Sequence, residues 1–512
     1  MTIRKLLFSS HFLRITLSIL LLTFFLNPLV FVYSYQFKDN REQTLEENIS
    51  FTDSSDINIG VNYLFGKISA LKDFYEIDGK AIKFSSTGDC FFVGTIITEF
   101  YTKSDIIIGK MNSTGDVMWI GQFNYQDRDQ AADLAIDETE NCLYVVGTTI
   151  NNTTIQYTQV FLGCFNLTDG SELWFVEYGE IDKSEIGYAI EKIDDELFVV
   201  GLKTNYYQIV TQTNVFLANF NKTNGILNWI VINSLVTYDT IPNFVIDSNT
   251  NDIFISFNRD MLNEDDTIYS ILQIYSYTGI LQDEITIDIE NFEINDMIIN
   301  DESNNLVIIG NIWESDKQKF RDILILQLDF TGIIISQFSF GDEGFNDFGN
   351  CLALQDNSYI IFSGVKESDY QNKNIGFLTK IDLNGKVIWD GKNEFFYRSG
   401  INGIDINANG YIALVGNCQT EWDIIFKRLF LGFTIDEDAD GLSRYFEEEI
   451  GTDPLNEDTD GDGFSDGEEI KHNTNPLDKN SNIKRRKFLN NFSVVLFFSV
   501  VILFVLFQVF IS

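Results

Sequence analysis

A unit of about 53 residues recurs seven times between Asn58 and Phe433, and this repetition constrains the chain more than any other feature. Its clearest mark is a short apolar run ending in glycine: Phe91-Phe92-Val93-Gly94, Tyr144-Val145-Val146-Gly147, Phe198-Val199-Val200-Gly201, Val307-Ile308-Ile309-Gly310, Ile360-Ile361-Phe362-Ser363-Gly364 and Ala413-Leu414-Val415-Gly416. The fourth copy, Ile253 to Phe257, keeps the run and loses the glycine. Successive ends lie 53, 54, 56, 53, 54 and 52 residues apart. A period of this size carrying several short strands reads as the blades of a β-propeller.

Within each unit the apolar run is one of four strand patterns. Another run leads into a polar turn with glycine and then a strand, and in four copies a tryptophan lies four residues past that glycine: Gly115 and Trp119, Gly170 and Trp174, Gly225 and Trp229, Gly385 and Trp389. Gly279 and Gly332 keep the turn, with Asp283 and Ser336 at the tryptophan position. Ile, Val and Phe runs bounded by Asn, Asp, Gly and Thr predict strands joined by hairpins. The glycines and tryptophans are expected to serve tight turns and packing between blades. One strand is left over at the start, Ile57 to Phe65, and one at the end, Asp423 to Phe430. Pairing them would close the ring and remove exposed sheet edges. The expectation is an all-β, seven-bladed propeller over residues 57–433 with closure by N- and C-terminal strands.

These units, best seen in Ser104 to Thr149 and Phe320 to Val365, resemble the bacterial SBBP-type β-propeller repeat. The likeness to tryptophan-rich quinoprotein propellers is weaker. Either resemblance implies a fold and assigns no reaction.

The most specific chemistry follows the ring, in residues 434–480. Two acidic loops place oxygens at positions 1, 3, 5 and 12, glycine at 6, and at 7 an apolar residue that would offer its carbonyl. Calcium takes six to eight oxygens, and such spacing wraps one chain around the ion. The first loop offers Asp436, Asp438, Asp440, the Leu442 carbonyl and Glu447; the second offers Asp458, Asp460, Asp462, the Phe464 carbonyl, Asp466 and Glu469. About two calcium ions are expected. Arg444 stands at position 9 of the first loop, where the second has Asp466, so the second is expected to bind more tightly. With the linkers Gly451-Thr452-Asp453-Pro454-Leu455-Asn456 and Asn473-Thr474-Asn475-Pro476-Leu477-Asp478, the segment resembles thrombospondin type 3 calcium repeats. That resemblance adds Asp453 as a further candidate ligand.

The ends of the chain point to export. Arg4, Lys5 and Arg14 precede an apolar stretch from Ile15 to Val32. This predicts a signal peptide over residues 1–34, with an uncleaved anchor as the alternative, and then a linker over 35–56. A basic segment, 481–491, leads into Phe492 to Ile511, which carries no charge and is long enough to span a bilayer as a transmembrane helix at 492–511. The basic cluster opposes the positive-inside bias. The acidic loops and the sequons at Asn48, Asn112, Asn151, Asn152, Asn166 and Asn221 favour export of the large domain to the extracellular face, anchored in the cell membrane by one span. Exchange of the tail for a lipid stays open. The five cysteines are dispersed without a metal-pair spacing, and no obligatory disulfide is expected.

A net charge of −41 excludes a nucleic-acid partner and suits an exported, cation-binding ectodomain. The only histidines, His11 and His472, lie outside the ring, which removes histidine-based catalysis and metal binding from it. The expected function is therefore a membrane-anchored surface protein and not an enzyme: a propeller that displays a binding or adhesion face toward an extracellular protein or glycan, on a calcium-stabilised stalk. The competing class is an exported propeller enzyme, either a carboxylate-based glycosidase or a quinoprotein.

Overall fold

The computed structural model describes residues 76–434, apart from 100–102, 113–116, 151–156, 181, 207–210, 237–240, 261–267, 314–319, 342–344, 369–372, 394–397, 408–409 and 420–427, and then Glu447 and 451–481 apart from 472–473. The expected signal segment, linker, closing strand at 57–65, basic segment and apolar C-terminal segment lie outside the described residues, as do Asp436, Asp438, Asp440 and Leu442. Among the described residues no helix is long and apolar enough to cross a membrane.

The described ring is all β. Its first antiparallel unit is β1 (Glu76–Phe84), β2 (Cys90–Glu99), β3 (Lys103–Met111) and β4 (Val117–Phe123). The second is β5 (Arg128–Asp137), β6 (Cys142–Ile150), β7 (Thr158–Asn166) and β8 (Glu172–Tyr178), and the third is β9 (Lys183–Ile193), β10 (Glu196–Tyr206), β11 (Thr211–Asn221) and β12 (Leu227–Val236). Three more four-stranded units begin at β13 (Asn243–Ile246), β17 (Phe292–Asn300) and β21 (Asp347–Gln355), and the last described unit is β25 (Arg398–Ile406), β26 (Ile412–Gln419) and β27 (Arg428–Thr434). Each unit is an up-and-down meander, so neighbours in sequence are neighbours in the sheet.

The glycine of the apolar run sits in mid-strand and has a single cause. In six units the first strand carries a bulge, and the glycine pairs with the residue just before it: Gly94 with Gly79, Gly147 with Ala131, Gly201 with Gly187, Gly310 with Ile294, Gly364 with Gly349 and Gly416 with Ile401. The bulge swings a carbonyl into the space a side chain would need. A Cβ at Gly94 would lie 2.6 Å from the Asp78 oxygen, and at the other five positions the approach to the equivalent oxygen is closer still. In the fourth unit buried Phe257 takes the place of the glycine, and the pairing of β13 ends at Asn243 opposite Ser256, one residue before it.

The bulged residues also join the units. Asn295 Nδ2 donates to Gly349 O at 2.6 Å, Asn350 Nδ2 to Ile401 O at 2.9 Å, and Asn402 Nδ2 to Gly79 O at 2.8 Å. The same bond thus runs from the fifth unit to the sixth, to the last and back to the first, which closes a ring. Asp405 Oδ2 accepts the Phe84 N–H across the same junction at 2.6 Å, and Ala413 and Val415 pack in one core with Ile77, Ile82 and Phe92. On the outer strands, Trp119, Trp174 and Trp229 each cover the positive-φ turn glycine of the following unit, Gly170, Gly225 and Gly279. Where the tryptophan is missing, Ile285 covers Gly332 and Phe338 covers Gly385. Packing between blades and tight turns are thus what these residues serve, in the arrangement of a β-propeller.

One buried ion pair tests the third unit. Lys203, 2% exposed, lies 3.0 Å from the carboxylate of Glu185, 0% exposed. Lys203→Ala leaves that charge unpaired and is expected to destabilise the ring by about 3–5 kcal/mol in urea denaturation. A change below about 1 kcal/mol would show the pair to be idle.

Candidate metal centre

The second acidic loop is built by main-chain amides that hold its carboxylates in place. Asp458 Oδ1 accepts the N–H groups of Gly461 (2.9 Å) and Asp462 (3.1 Å), while its Oδ2 accepts that of Gly463 at 2.8 Å. Asp462 Oδ1 accepts the Phe464 N–H at 3.1 Å. Gly461 and Gly463 have φ of 74° and 90°, the left-handed turn that lets the chain double back under its own carboxylates. Phe464 then leads into α1 (Asp466–Lys471), which carries Glu469.

Asp458, Asp460 and Asp462 come together as a group able to hold a metal ion. Asp460 Oδ2, Asp462 Oδ2 and both carboxylate oxygens of Glu469 are buried with no hydrogen-bond donor. Burial pushes Glu469 up to about 7, and Asp462, Asp460 and Asp466 push the same way, while the Thr474 hydroxyl donates to the Glu469 main-chain carbonyl at 3.1 Å and leaves the carboxylate unbonded. Burial and Asp462 likewise raise Asp460. Buried, unbonded carboxylate oxygens are costly, and an all-oxygen set suits a hard divalent cation. The residues present therefore fit calcium. Asp466 is placed differently from Asp458, Asp460 and Asp462: its oxygens accept the Thr459 N–H (3.0 Å) and hydroxyl (2.6 Å), bracing the loop against the start of α1.

Of the first loop, only Glu447 is described, and it is buried. The two linkers match with an offset of 22 residues. Thr452 N–H donates to Glu447 O and Thr474 N–H to Glu469 O, while Asp453 N–H meets the Thr459 hydroxyl and Asn475 N–H the Ser481 hydroxyl. Asp453 is exposed.

Sequence reasoning did not find a cavity of about 310 Å³ where β1, β5, β9 and β25 end, lined by Lys83, Asp137, Glu138, Glu191, Lys192 and Asp405. Its charges largely neutralise one another. Lys83 pairs with Glu191 at 2.8 Å, and Asp137 takes Lys222 at 3.0 Å and Lys192 at 3.5 Å. Burial alone would raise Asp137, but bonds from Thr139, Lys222 and the Glu140 N–H bring it down to about 2. Burial raises Asp133 and Asp405, yet both spend oxygens on main-chain N–H groups of neighbouring units, Ile190 and Phe84. These acids fasten inner strands together. Only alignment of the repeats would have brought them to one end of the ring.

The model of the bacterial TSP3 repeat family matches residues 436–457 and 458–479. No curated protein matches the chain in sequence. Among solved structures it is similar to the β-propeller domain of the Trilobed protease from Pyrococcus furiosus, at 12% identity over 70% of this chain and 93% of that one, with a TM-score of 0.42. It is also similar to Pyrococcus horikoshii acylaminoacyl peptidase (12% identity, 70% of this chain and 51% of that one, TM-score 0.41). A puromycin hydrolase is similar at 9% identity, over 67% of this chain and 50% of that one, with a TM-score of 0.45. The chain spans about half the length of these last two.

Proposed function

We propose that the chain is an exported, membrane-anchored surface protein, in which a seven-bladed, SBBP-like propeller presents a binding face on a calcium-stiffened stalk. The observation that carries this reading is the second acidic loop, where Asp458, Asp460 and Asp462 form a group able to hold a metal ion and carboxylate oxygens of Asp460, Asp462 and Glu469 are buried without donors. Residues 57–65 supply the fourth strand of the last blade. Asp436, Asp438, Asp440, Leu442 and Glu447 hold one calcium ion, and Asp458, Asp460, Asp462, Phe464 and Glu469 the other, with Asp466 bracing or joining the second. Residues 1–34 direct export, and 492–511 anchor the chain. The contact face lies on loops that differ between blades, where binding residues concentrate, and its partner is an extracellular protein or glycan.

External protease applied to intact cells tests this. The full chain is expected to fractionate with membranes, and the ring to be shaved from the outside. A ring protected in intact cells, or a chain free of the membrane fraction, would overturn the surface reading.

A further inference from the structure

Each four-stranded unit passes from its third to its fourth strand through a tight loop, and register fixes the residue that opens it. That residue ends the third strand and pairs with the first residue of the second strand. It is Asn166 opposite Cys142 in the second unit and Asn221 opposite Glu196 in the third. In the fifth and sixth units it is Asp329 opposite Asn305 and Asp382 opposite Tyr359. The loop uses one side-chain oxygen there. Asn166 Oδ1 accepts the Thr168 N–H at 2.8 Å and Asn221 Oδ1 the Thr223 N–H at 2.9 Å. Asp329 and Asp382 make the same bond, both at 2.9 Å, with the N–H groups of Thr331 and Asn384. Asn and Asp serve such a turn alike, because only the oxygen takes part.

The amide nitrogen of the two asparagines is therefore surplus to the fold. Asn166 Oδ1 also accepts Asn141 Nδ2 at 3.0 Å, so two donors fix which way that amide points. Neither Nδ2 donates a hydrogen bond, and neither is shut off from solvent. Two residues on stand Thr168 and Thr223, both exposed, and the residues between are Leu167 and Lys222. Asn-X-Thr without proline, on an exposed turn of an exported chain, is the acceptor of an N-linked sugar chain. The fifth unit keeps the threonine but has Asp329, which offers no nitrogen. The matching loop of the first unit, after Asn112, falls on 113–116, outside the described residues.

We propose that Asn166 and Asn221 are N-glycosylated, so that the second and third units each carry a sugar chain on the same loop. This rests on the export reading, which brings the chain to the membrane face where lipid-linked sugars are donated. Nδ2 bonds to the anomeric carbon of a sugar carried on a lipid phosphate. The bond from that carbon to the phosphate oxygen breaks, its electron pair leaves with the lipid phosphate, and one amide proton is given up to solvent. The amide keeps Oδ1 and its other hydrogen, so the turn survives the transfer. The sugar chains stand beside Leu173 and Ile226, which follow the two loops at 50% and 61% exposure, and screen this apolar surface. Ile280, Ile333 and Val387 follow the same loop in units without a sequon and stay bare.

Mass spectrometry of peptides from the full chain, isolated from the membranes of the cells that make it, tests the assignment. The peptides holding Asn166 and Asn221 are expected to carry a sugar mass. Asn166→Asp and Asn221→Asp are each expected to lose it at the altered site and to keep the strand signal and melting of the ring, since Asp329 and Asp382 build the same turn. Thr168→Ala and Thr223→Ala, which leave the asparagines in place, are expected to lose it as well. External protease applied to the same cells separates the two ways of failing. Unmodified Asn166 and Asn221 on a ring that protease removes would overturn the sugar chains alone. Unmodified residues on a ring that stays protected would overturn the export reading and the sugar chains with it.

Discussion

Chelating calcium is expected to open residues 451–481 to protease within minutes while the strand signal of the ring persists. The acidic segment has little else to hold it. Among its described residues the buried side chains are Glu447, Thr452, Asp466, Glu469 and Thr474, all polar, and Pro476. Like charges about 5 Å apart repel by about 3 kcal/mol at an effective dielectric near 20, and Asp458, Asp460 and Asp462 form such a group. A cation turns that repulsion into the main attraction, so binding and folding of the segment are one event. Asp460→Asn and Glu469→Gln, which each remove a charge from the proposed site, are expected to weaken calcium binding by at least about tenfold. Protons compete in the same direction. Burial and its acidic neighbours raise Glu469 to about 7, so calcium uptake must expel a proton below that pH and affinity should fall as the solution is acidified. Limited proteolysis with mass spectrometry, in calcium and in chelator, reads the outcome. Equal resistance in both would remove calcium from the account of the segment, and collapse of the strand signal on chelation would make the stalk part of the ring's core.

The features legible in the sequence are those that repeat at fixed offsets. The acidic loops could be read position by position because every ligand lies within twelve residues of one chain, and the structure gathers Asp458, Asp460 and Asp462. The role of Asp466 was not legible, because nothing in the spacing shows that Thr459 takes both its oxygens. In the ring, the glycine of each apolar run was visible, but its cause was not. It sits inside the strand, as Gly94 does within β2, and answers a bulge in a partner strand whose bulged residue varies from Lys80 to Tyr188 to Asn295. Register, and not residue type, defines that position.

The largest stability loss in the ring is expected from Gly364→Ala. The three nearest atoms that a Cβ would meet there are all main chain: the Phe348 oxygen, far inside van der Waals contact, the Phe348 carbonyl carbon at 2.8 Å and Gly349 Cα at 3.1 Å. No side chain can rotate away to relieve the clash. The sheet must instead lose the bulge at Asn350, and with it the bond from Asn350 Nδ2 to Ile401 O that ties the sixth unit to the last. Overpacking in a core costs about 1–3 kcal/mol where side chains can yield. Here the backbone of an inner strand and an inter-unit bond go together, so a loss of about 4 kcal/mol or failure to fold is expected, in the range reserved for a few drastic mechanisms. Gly461→Ala provides the contrast. Its φ of 74° disfavours a side chain, but no atom lies within 4 Å of the added carbon, so only the conformational cost of about 1 kcal/mol applies. Urea denaturation followed by the strand signal reads Gly364→Ala, and the protease resistance of residues 451–481 in calcium reads Gly461→Ala. A Gly364→Ala ring as stable as the wild type would mean that the inner strand can pair without its bulge and that the repeated glycine is not what shapes the ring.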